Sequence, residues 1–306
     1  MFSSYKSGSA QIVLAETPAR SKSEDIFMEA AIISPTISVA DESVRLLARL
    51  RASRPLVQAV TNFVSMDIAA NALLAIGASP AMVHAPEEAE EFVALASALV
   101  VNIGTIAKSF LAGMIAAAAA ADRIGRPWVL DPVGAGATQF RNDAILQLLS
   151  HRPSVLRGNA SEIISVARIA GLHDEIATPK GVDSAHETSA ARASAIALAR
   201  RFNCTVAATG AVDLVTDGER LVLLRNGSPV MAQVTAVGCA LSGIVAAFIA
   251  LTTDHCAATA SAIAIYGIVG EMASERTSGP GSFRVAFIDG LDAVNENDIR
   301  RRLRLG

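Results

Sequence analysis

A thiol stands in the segment Gln233-Val234-Thr235-Ala236-Val237-Gly238-Cys239-Ala240-Leu241-Ser242, where an extended, β-branched run turns through small residues into an Ala/Leu/Ile-rich helical pattern. Such a turn leaves backbone N–H groups unpaired at a helix N-terminus, where they can hold an anion. The positive field of that terminus predicts that the Cys239 thiol loses its proton more readily than a free cysteine. An anion cradle beside an ionisable group is the equipment phosphoryl transfer requires.

Other polar residues end or follow apolar runs. Asp131 closes Pro127-Trp128-Val129-Leu130 and precedes Pro132, Gly134 and Gly136. It reads either as a turn or capping aspartate or as a carboxylate aimed at Mg²⁺ or a phosphate. Glu162 opens a helix after Arg157-Gly158-Asn159-Ala160-Ser161. Alone it is a favourable first-turn glutamate. Paired with Asp131 it could hold Mg²⁺ through water, because Mg²⁺ favours few carboxylates plus substrate phosphates. Arg157, at the end of an apolar strand, needs an anionic partner: a structural carboxylate or, through its planar fork, a phosphate. Thr209-Gly210 by itself is an ordinary strand-to-turn junction, and Cys239 by itself a small buried hydrophobe.

The elements that must position these residues alternate. Residues 55–61, 99–102, 127–132, 155–157 and 205–209 read as strands, and 65–76, 107–123 and the stretch from Ser161 as helices; the second helix carries six consecutive alanines at 116–121. Strand–helix alternation predicts βαβ units and a mostly parallel sheet covered on both faces. Residues 212–216 and 221–224 flank Asp217-Gly218, a hairpin signal that adds an antiparallel edge. The last third reads as helices over 239–251, 255–275 and 284–302, and Gly279-Pro280-Gly281 as a turn. In such sheets ligands bind beyond the carboxyl ends of the strands, where Asn102, Asp131, Arg157, Asn159 and Thr209 all fall.

Composition narrows the function classes. A net charge of −3 and only 4% aromatic residues give no case for nucleic acid or an anionic membrane surface. Three cysteines without a CxxC pair support neither a disulfide framework nor a zinc site, and fit a reducing cytoplasm. The five histidines lack metal-ligand spacing, there is no GxGxxG or GxxxxGK[ST] motif, and Glu87, Glu88, Glu90 and Glu91 read as a solvated helix start. The apolar stretches near 240–251 and 257–270 carry Ser, Gly and Thr and read as buried helices rather than membrane spans. Residues 1–40 read as a poorly ordered extension, with Met28 an internal candidate start, and 41–306 as one domain.

Taken in order, Val60-Thr61-Asn62, Asn71 to Met82 (with Gly77-Ala78-Ser79-Pro80-Ala81-Met82), Asn102-Ile103-Gly104-Thr105, Leu130-Asp131-Pro132-Val133-Gly134-Ala135-Gly136, Arg157-Gly158-Asn159-Ala160-Ser161-Glu162, Lys180-Gly181-Val182-Asp183, Val215-Thr216-Asp217-Gly218 and Gly279-Pro280-Gly281-Ser282-Phe283 resemble the hydroxyethylthiazole kinase family of the ribokinase-like superfamily. The resemblance implies a three-layer α/β sandwich and transfer of the ATP γ-phosphate to the primary alcohol of 4-methyl-5-(2-hydroxyethyl)thiazole in thiamine salvage. It further implies Mg²⁺ as cofactor and a homotrimer with sites at subunit interfaces. By motif, Met82, Asn62 and Ala236 fall on the thiazole side, Arg157, Thr209 and Gly238 on the ATP and phosphate side, and Asp131 and Glu162 on Mg²⁺ and the triphosphate. Cys239 stands where sugar kinases of the superfamily carry an aspartate base.

The chain departs from that pattern inside the anion turn. Ala236 replaces a glycine, Val237 adds β-branched bulk, and Ala211 replaces a glutamate after Thr-Gly. A left-handed backbone at 236 would cost alanine on the order of 1 kcal/mol. An impaired thiazole-binding protein and a kinase for a related heteroaromatic alcohol are therefore the alternatives to an active thiazole kinase.

Overall fold

The computed structural model describes residues 38–172 and 184–306. Most of the 1–40 extension and the Lys180-Gly181-Val182-Asp183 motif thus lie outside the described residues. The chain opens with α1 (Val39–Ser53), whose N-cap Ser38 side chain accepts from the Asp41 N–H, and continues through β1 (Leu56–Val60) and α2 (Met66–Ile76). Gly77 ends α2 in the left-handed conformation. Then come β2 (Ser79–Ala81), α3 (Pro86–Leu95), β3 (Ala98–Asn102), α4 (Lys108–Ile124), β4 (Trp128–Asp131), α5 (Gln139–Leu149), β5 (Val155–Asn159) and α6 (Ala160–Ile169). After α7 (Ser184–Phe202) follow β6 (Thr205–Thr209), β7 (Asp213–Thr216) and β8 (Leu221–Leu224). A 3₁₀ turn (Pro229–Gln233) leads to α8 (Val237–Ile249), α9 (His255–Ser274), α10 (Pro280–Ala293) and α11 (Glu296–Arg302).

All eight strands form one sheet in the order β2-β1-β3-β4-β5-β6-β7-β8. Pairing is parallel from β2 through β6, and β7 and β8 are added antiparallel around Asp217-Gly218. The expected parallel sheet with an antiparallel hairpin edge is therefore what forms. Alternate residues of each central strand feed two separate cores. Val57, Val100, Val129, Val155 and Ala207 face one that contains α8 and α9. Leu99, Val101, Trp128, Leu130, Leu156 and Val206 face the other, with α4, α5 and α6. Strands buried on both faces and coated by helices make the three-layer sandwich. The alanine run suits this: Ala117, Ala118, Ala120 and Ala121 are buried, and a methyl side chain lets α4 lie close to its neighbours.

Three expectations shift. Gln233 is not extended but ends the 3₁₀ turn, and α8 starts at Val237 rather than 239. The helix expected over 284–302 is two, because Asn295 and Asp298 form a capping box that starts α11 afresh. Gly279-Pro280 is not a free turn but the start of α10, with Pro280 in its first turn. One described helix, α9, is long and apolar enough to cross a membrane, yet it is mostly buried within the protein as a core helix.

Candidate active site

The chain steps from β1 outward to β2, then back across β1 to β3, so the direction of winding switches between β1 and β3. The crevice beyond the carboxyl ends of such a pair is where open α/β sheets bind ligands. Asn62 follows β1 and Asn102 ends β3. Asn62 Nδ2 donates to Asn102 Oδ1 at 2.7 Å and to Cys239 Sγ at 3.4 Å. The Asn62 carboxamide oxygen accepts from the N–H groups of Val64 and Ser65, which fixes its orientation. This fit requires a glycine at 104, where an added Cβ would sit 2.5 Å from Asn62 Nδ2.

Register carries the network sideways. Asn102 pairs with Asp131, and Asn159 with Thr209. Asn102 Nδ2 donates to Asp131 Oδ2 at 2.6 Å, and Ser242 Oγ donates to the same oxygen at 2.8 Å. Asp131 is only 1% exposed and meets the guanidinium of Arg157 at 3.9 Å. It therefore caps no turn. Arg157 in turn donates to the carbonyl of Gly238 at 2.8 Å and to Thr209 Oγ1 at 2.7 Å. Its Nε is buried and has no partner among the described residues.

Glu162 keeps the simpler of its two readings as well as its place near Asp131. Its carboxylate accepts from the Asn159 N–H at 2.8 Å and from the Gly134 N–H at 3.0 Å, closing a capping box at the start of α6. Among the described residues no group of three or more His, Cys, Asp or Glu is arranged to hold a metal ion. What is present is two hard carboxylate donors at the sheet top, with the charge of Glu162 felt at Asp131. That donor set fits a hydrated Mg²⁺ sharing phosphate oxygens, since this ion takes few protein ligands.

At the head of α8, Ala236 adopts φ 64°, ψ 3°, and no side chain among the described residues caps the helix. The first-turn N–H groups are thus available to an anion, as the sequence predicts. Tyr266 Oη donates to the Val237 carbonyl at 2.6 Å and holds the turn from the α9 side. A cavity of about 620 Å³ opens beside this turn, lined by Arg157, Thr209, Gly238, Asp213, Asn226 and Tyr266 among others. Its volume lies in the range of small-molecule sites.

Electrostatics overturn one expectation. The Cys239 thiol is not made more acidic; burial raises its pKa first, and the charge of Asp131 raises it further. Hydrogen bonds from Asn102 and Asn62 and the charge of Arg157 pull the other way without prevailing. Burial pushes Asp131 up to about 6 against the opposing pull of Arg157. Asp213, which accepts the Gly210 N–H at 2.9 Å, is likewise pushed to about 6 by burial. Cys204 and Cys256 are buried and raised to about 12, so neither is a nucleophile.

Of the residues singled out from the sequence, Asn62, Asp131, Arg157, Thr209, Gly238 and Cys239 thus fall into one connected cluster. Met82 does not join it: the residue follows edge strand β2 and is partly buried against the α8–α9 core. Ser242, Asp213 and Tyr266 were missed. Ser242 had a readable signal, since it lies three residues after Cys239 on the same helix face. Tyr266 and Asp213 had none, because only the crossing of α9 and the hairpin bring them to the site.

A mostly parallel sheet with its candidate site at the switch point, a buried Arg–Asp pair and a helix N-terminus that no described side chain caps make up a ribokinase-like α/β fold. The fold matches that of the pyridoxal kinase from Staphylococcus aureus in complex with AMP-PCP and pyridoxal (TM-score 0.52, 13% identity, 71% of this chain and 87% of that one). Residues 47–297 match the hydroxyethylthiazole kinase family, and the chain belongs to it. It is 49% identical to a hydroxyethylthiazole kinase of Rhizobium rhizogenes over 261 residues, 85% of this chain and 95% of that protein. The solved hydroxyethylthiazole kinase protein of Pyrococcus horikoshii is 43% identical with a TM-score of 0.78, over 86% of this chain and 98% of that one.

Proposed function

We infer that this protein transfers the γ-phosphoryl group of ATP to the primary alcohol of 4-methyl-5-(2-hydroxyethyl)thiazole, as in thiamine salvage. The observation that carries the reading is the convergence of Arg157 and the first turn of α8, which no described side chain caps, on the 620 Å³ cavity, with Cys239 directly after Gly238 of its lining. ATP occupies this cavity, with its phosphates toward the N–H groups of Gly238 and Cys239 and toward the Arg157 guanidinium. Thr209 keeps that guanidinium in plane through the bond at Oγ1. Asp131 and Glu162 would hold Mg²⁺, which would neutralise charge on the phosphates.

The alcohol lies beside Cys239 at the β1/β3 crevice. Its oxygen forms the new bond to the γ-phosphorus as the bond to the β-phosphate oxygen breaks, and ADP leaves. The hydroxyl proton passes to the Cys239 thiolate. With the thiol held above its ordinary pKa, the thiolate is a minor form at neutral pH, which fits a modest rate. Asn62, held by Asn102, orients the thiol and the alcohol, and Ala236 forms the turn between alcohol and phosphate. Positioning and charge neutralisation do most of the work in such a loose transition state, so a weak base suffices.

We assign the thioether of Met82 to the thiazole ring, a contact that suits a soft, polarisable side chain. The assembly we propose is a homotrimer with sites at subunit interfaces. Phe63 and Val64 are 63% and 57% exposed directly beside Asn62, an apolar pair that a second copy would cover. The free thiols suit the cytoplasm.

The test is ADP release from Mg-ATP with and without the hydroxyethyl thiazole. Thiazole-dependent turnover supports the kinase. Thiazole binding by calorimetry without turnover would instead make the protein an impaired binder, and turnover with another heteroaromatic alcohol alone would change the substrate.

A further inference from the structure

The outer wall of the 620 Å³ cavity is the loop Arg225-Asn226-Gly227-Ser228, which belongs to no regular element. Two parts of the molecule far away in sequence grip it. Residues 303–306 run antiparallel along edge strand β8: Leu224 and Leu305 form a β-bridge, and Gly306 N donates to the Leu223 carbonyl at 2.9 Å. The Arg225 N–H donates to the Arg304 carbonyl at 2.9 Å, and the Arg304 N–H donates to Asn226 Oδ1 at 2.8 Å. Asn226 Nδ2 donates onward to the Arg302 carbonyl at 2.7 Å.

From the other side, one oxygen of Glu271 on α9 accepts from Asn226 Nδ2 at 3.1 Å, from the Gly227 N–H at 2.9 Å and from the Arg304 guanidinium. The α9 backbone comes close enough because residue 267 is glycine; a Cβ there would lie 2.6 Å from the Asn226 carbonyl. Asn226 is consequently buried although it sits in a surface loop. Every polar group of its side chain is used, and none of its partners lies in the phosphate cluster.

We propose that residues 303–306, with Asn226 and Glu271, form a clamp that fixes the cavity's outer wall and thereby sets affinity for the nucleotide, acting as positioning residues and not as catalytic ones. The assignment rests on the reading of this cavity as the ATP site. A loose loop must be ordered each time a ligand binds, at an entropic cost that weakens affinity. The clamp removes that cost in advance. Because it touches neither Cys239 nor the β1/β3 crevice, its loss acts on nucleotide binding and leaves the alcohol side alone.

The experiment compares the full chain, a variant lacking residues 303–306, Glu271→Ala and Glu271→Gln. Steady-state KM values are measured for ATP and for the thiazole, and Kd for a non-hydrolysable ATP analogue by calorimetry without thiazole. Truncation and Glu271→Ala are expected to raise the nucleotide KM and Kd about tenfold, because the loop must then be ordered anew each time the nucleotide binds. kcat and the thiazole KM stay within about twofold, since no transition-state contact is removed. Glu271→Gln keeps an acceptor for Asn226 and Gly227 and retains most of the affinity. If the truncated chain does not fold, the Glu271 pair decides alone. Unchanged nucleotide affinity, or a parallel loss of kcat and both KM values, overturns the clamp. A full chain that binds the analogue but never turns over thiazole refutes the proposed function, while its Kd series still judges the clamp. A full chain that does not bind the analogue overturns both.

Discussion

The Arg157 guanidinium donates to the carbonyl of Gly238 at 2.8 Å, tying the end of the fifth strand to the turn that precedes Cys239. A second bond to Thr209 Oγ1 fixes the plane of the fork, and the Nε stays buried without a partner among the described residues. Arg157→Lys keeps the positive charge but cannot reach both partners at once. It is expected to lower kcat/KM about 10- to 100-fold, from one or two charge-assisted bonds at about 1.5 kcal/mol each. Steady-state kinetics in ATP check this. A loss under twofold would mean that the fork positions nothing in the transition state.

Cys239 lies within reach of Asn62 Nδ2 and under the field of Asp131, and its thiol sits above the ordinary range. If it takes the alcohol proton, kcat should keep rising with pH beyond the pH at which a free thiol ionises. Cys239→Ser should lower kcat about tenfold or more with KM little changed, because a base acts only as the transition state forms. Cys239→Asp should retain or raise turnover at neutral pH and lose the alkaline rise. Equal kcat for wild type and Cys239→Ser would remove this residue from the mechanism.

Strand ends were legible from sequence because a parallel strand buried on both faces is a short apolar run, and a polar residue closing one is conspicuous. Asn102, Asp131, Arg157 and Thr209 were found in that way, and the sheet aligned them. The direction of the Cys239 shift was not legible. A helix N-terminus is visible in sequence, whereas the burial of the thiol and the nearness of Asp131 exist only after β4 and α8 have packed. The wall around Asn226 escaped notice for the same reason. Its partners Glu271 and Arg304 lie 45 and 78 residues away, and no local pattern marks them.

Ala236 occupies the left-handed region at φ 64°, ψ 3°, where a Cβ costs about 1–2 kcal/mol. Ala236→Gly removes that strain but adds about 0.4–1 kcal/mol of freedom to the unfolded chain. The net expectation is a stabilisation of about 0.5 kcal/mol, a rise in Tm of 1–2 °C, roughly, for a domain of this size. Because alanine already holds the turn geometry, kcat should change less than about threefold. Calorimetry and turnover measured on the same preparation check both. A rate gain of an order of magnitude would instead identify the turn as the lesion of an impaired enzyme.

Asp213 offers a test of the cavity's electrostatics that does not depend on turnover. Burial raises its carboxyl to about 6 in the folded protein, with the Gly210 N–H and then Arg157 opposing the rise. In the unfolded chain it titrates near about 3.9, so between these values the folded state holds more protons and stability must fall as pH rises. The contribution is therefore complete below about pH 4 and lost as pH passes through about 6. Asp213→Asn keeps an acceptor for the Gly210 N–H and abolishes the titration. The difference in Tm, wild type minus Asp213→Asn, should be largest near pH 4, roughly, and shrink steadily toward about pH 7. The subtraction cancels Asp131, which titrates in the same range in both proteins. A difference that stays flat, or grows with pH, would mean that water reaches this carboxylate and that the inner end of the cavity is wetter than its lining implies.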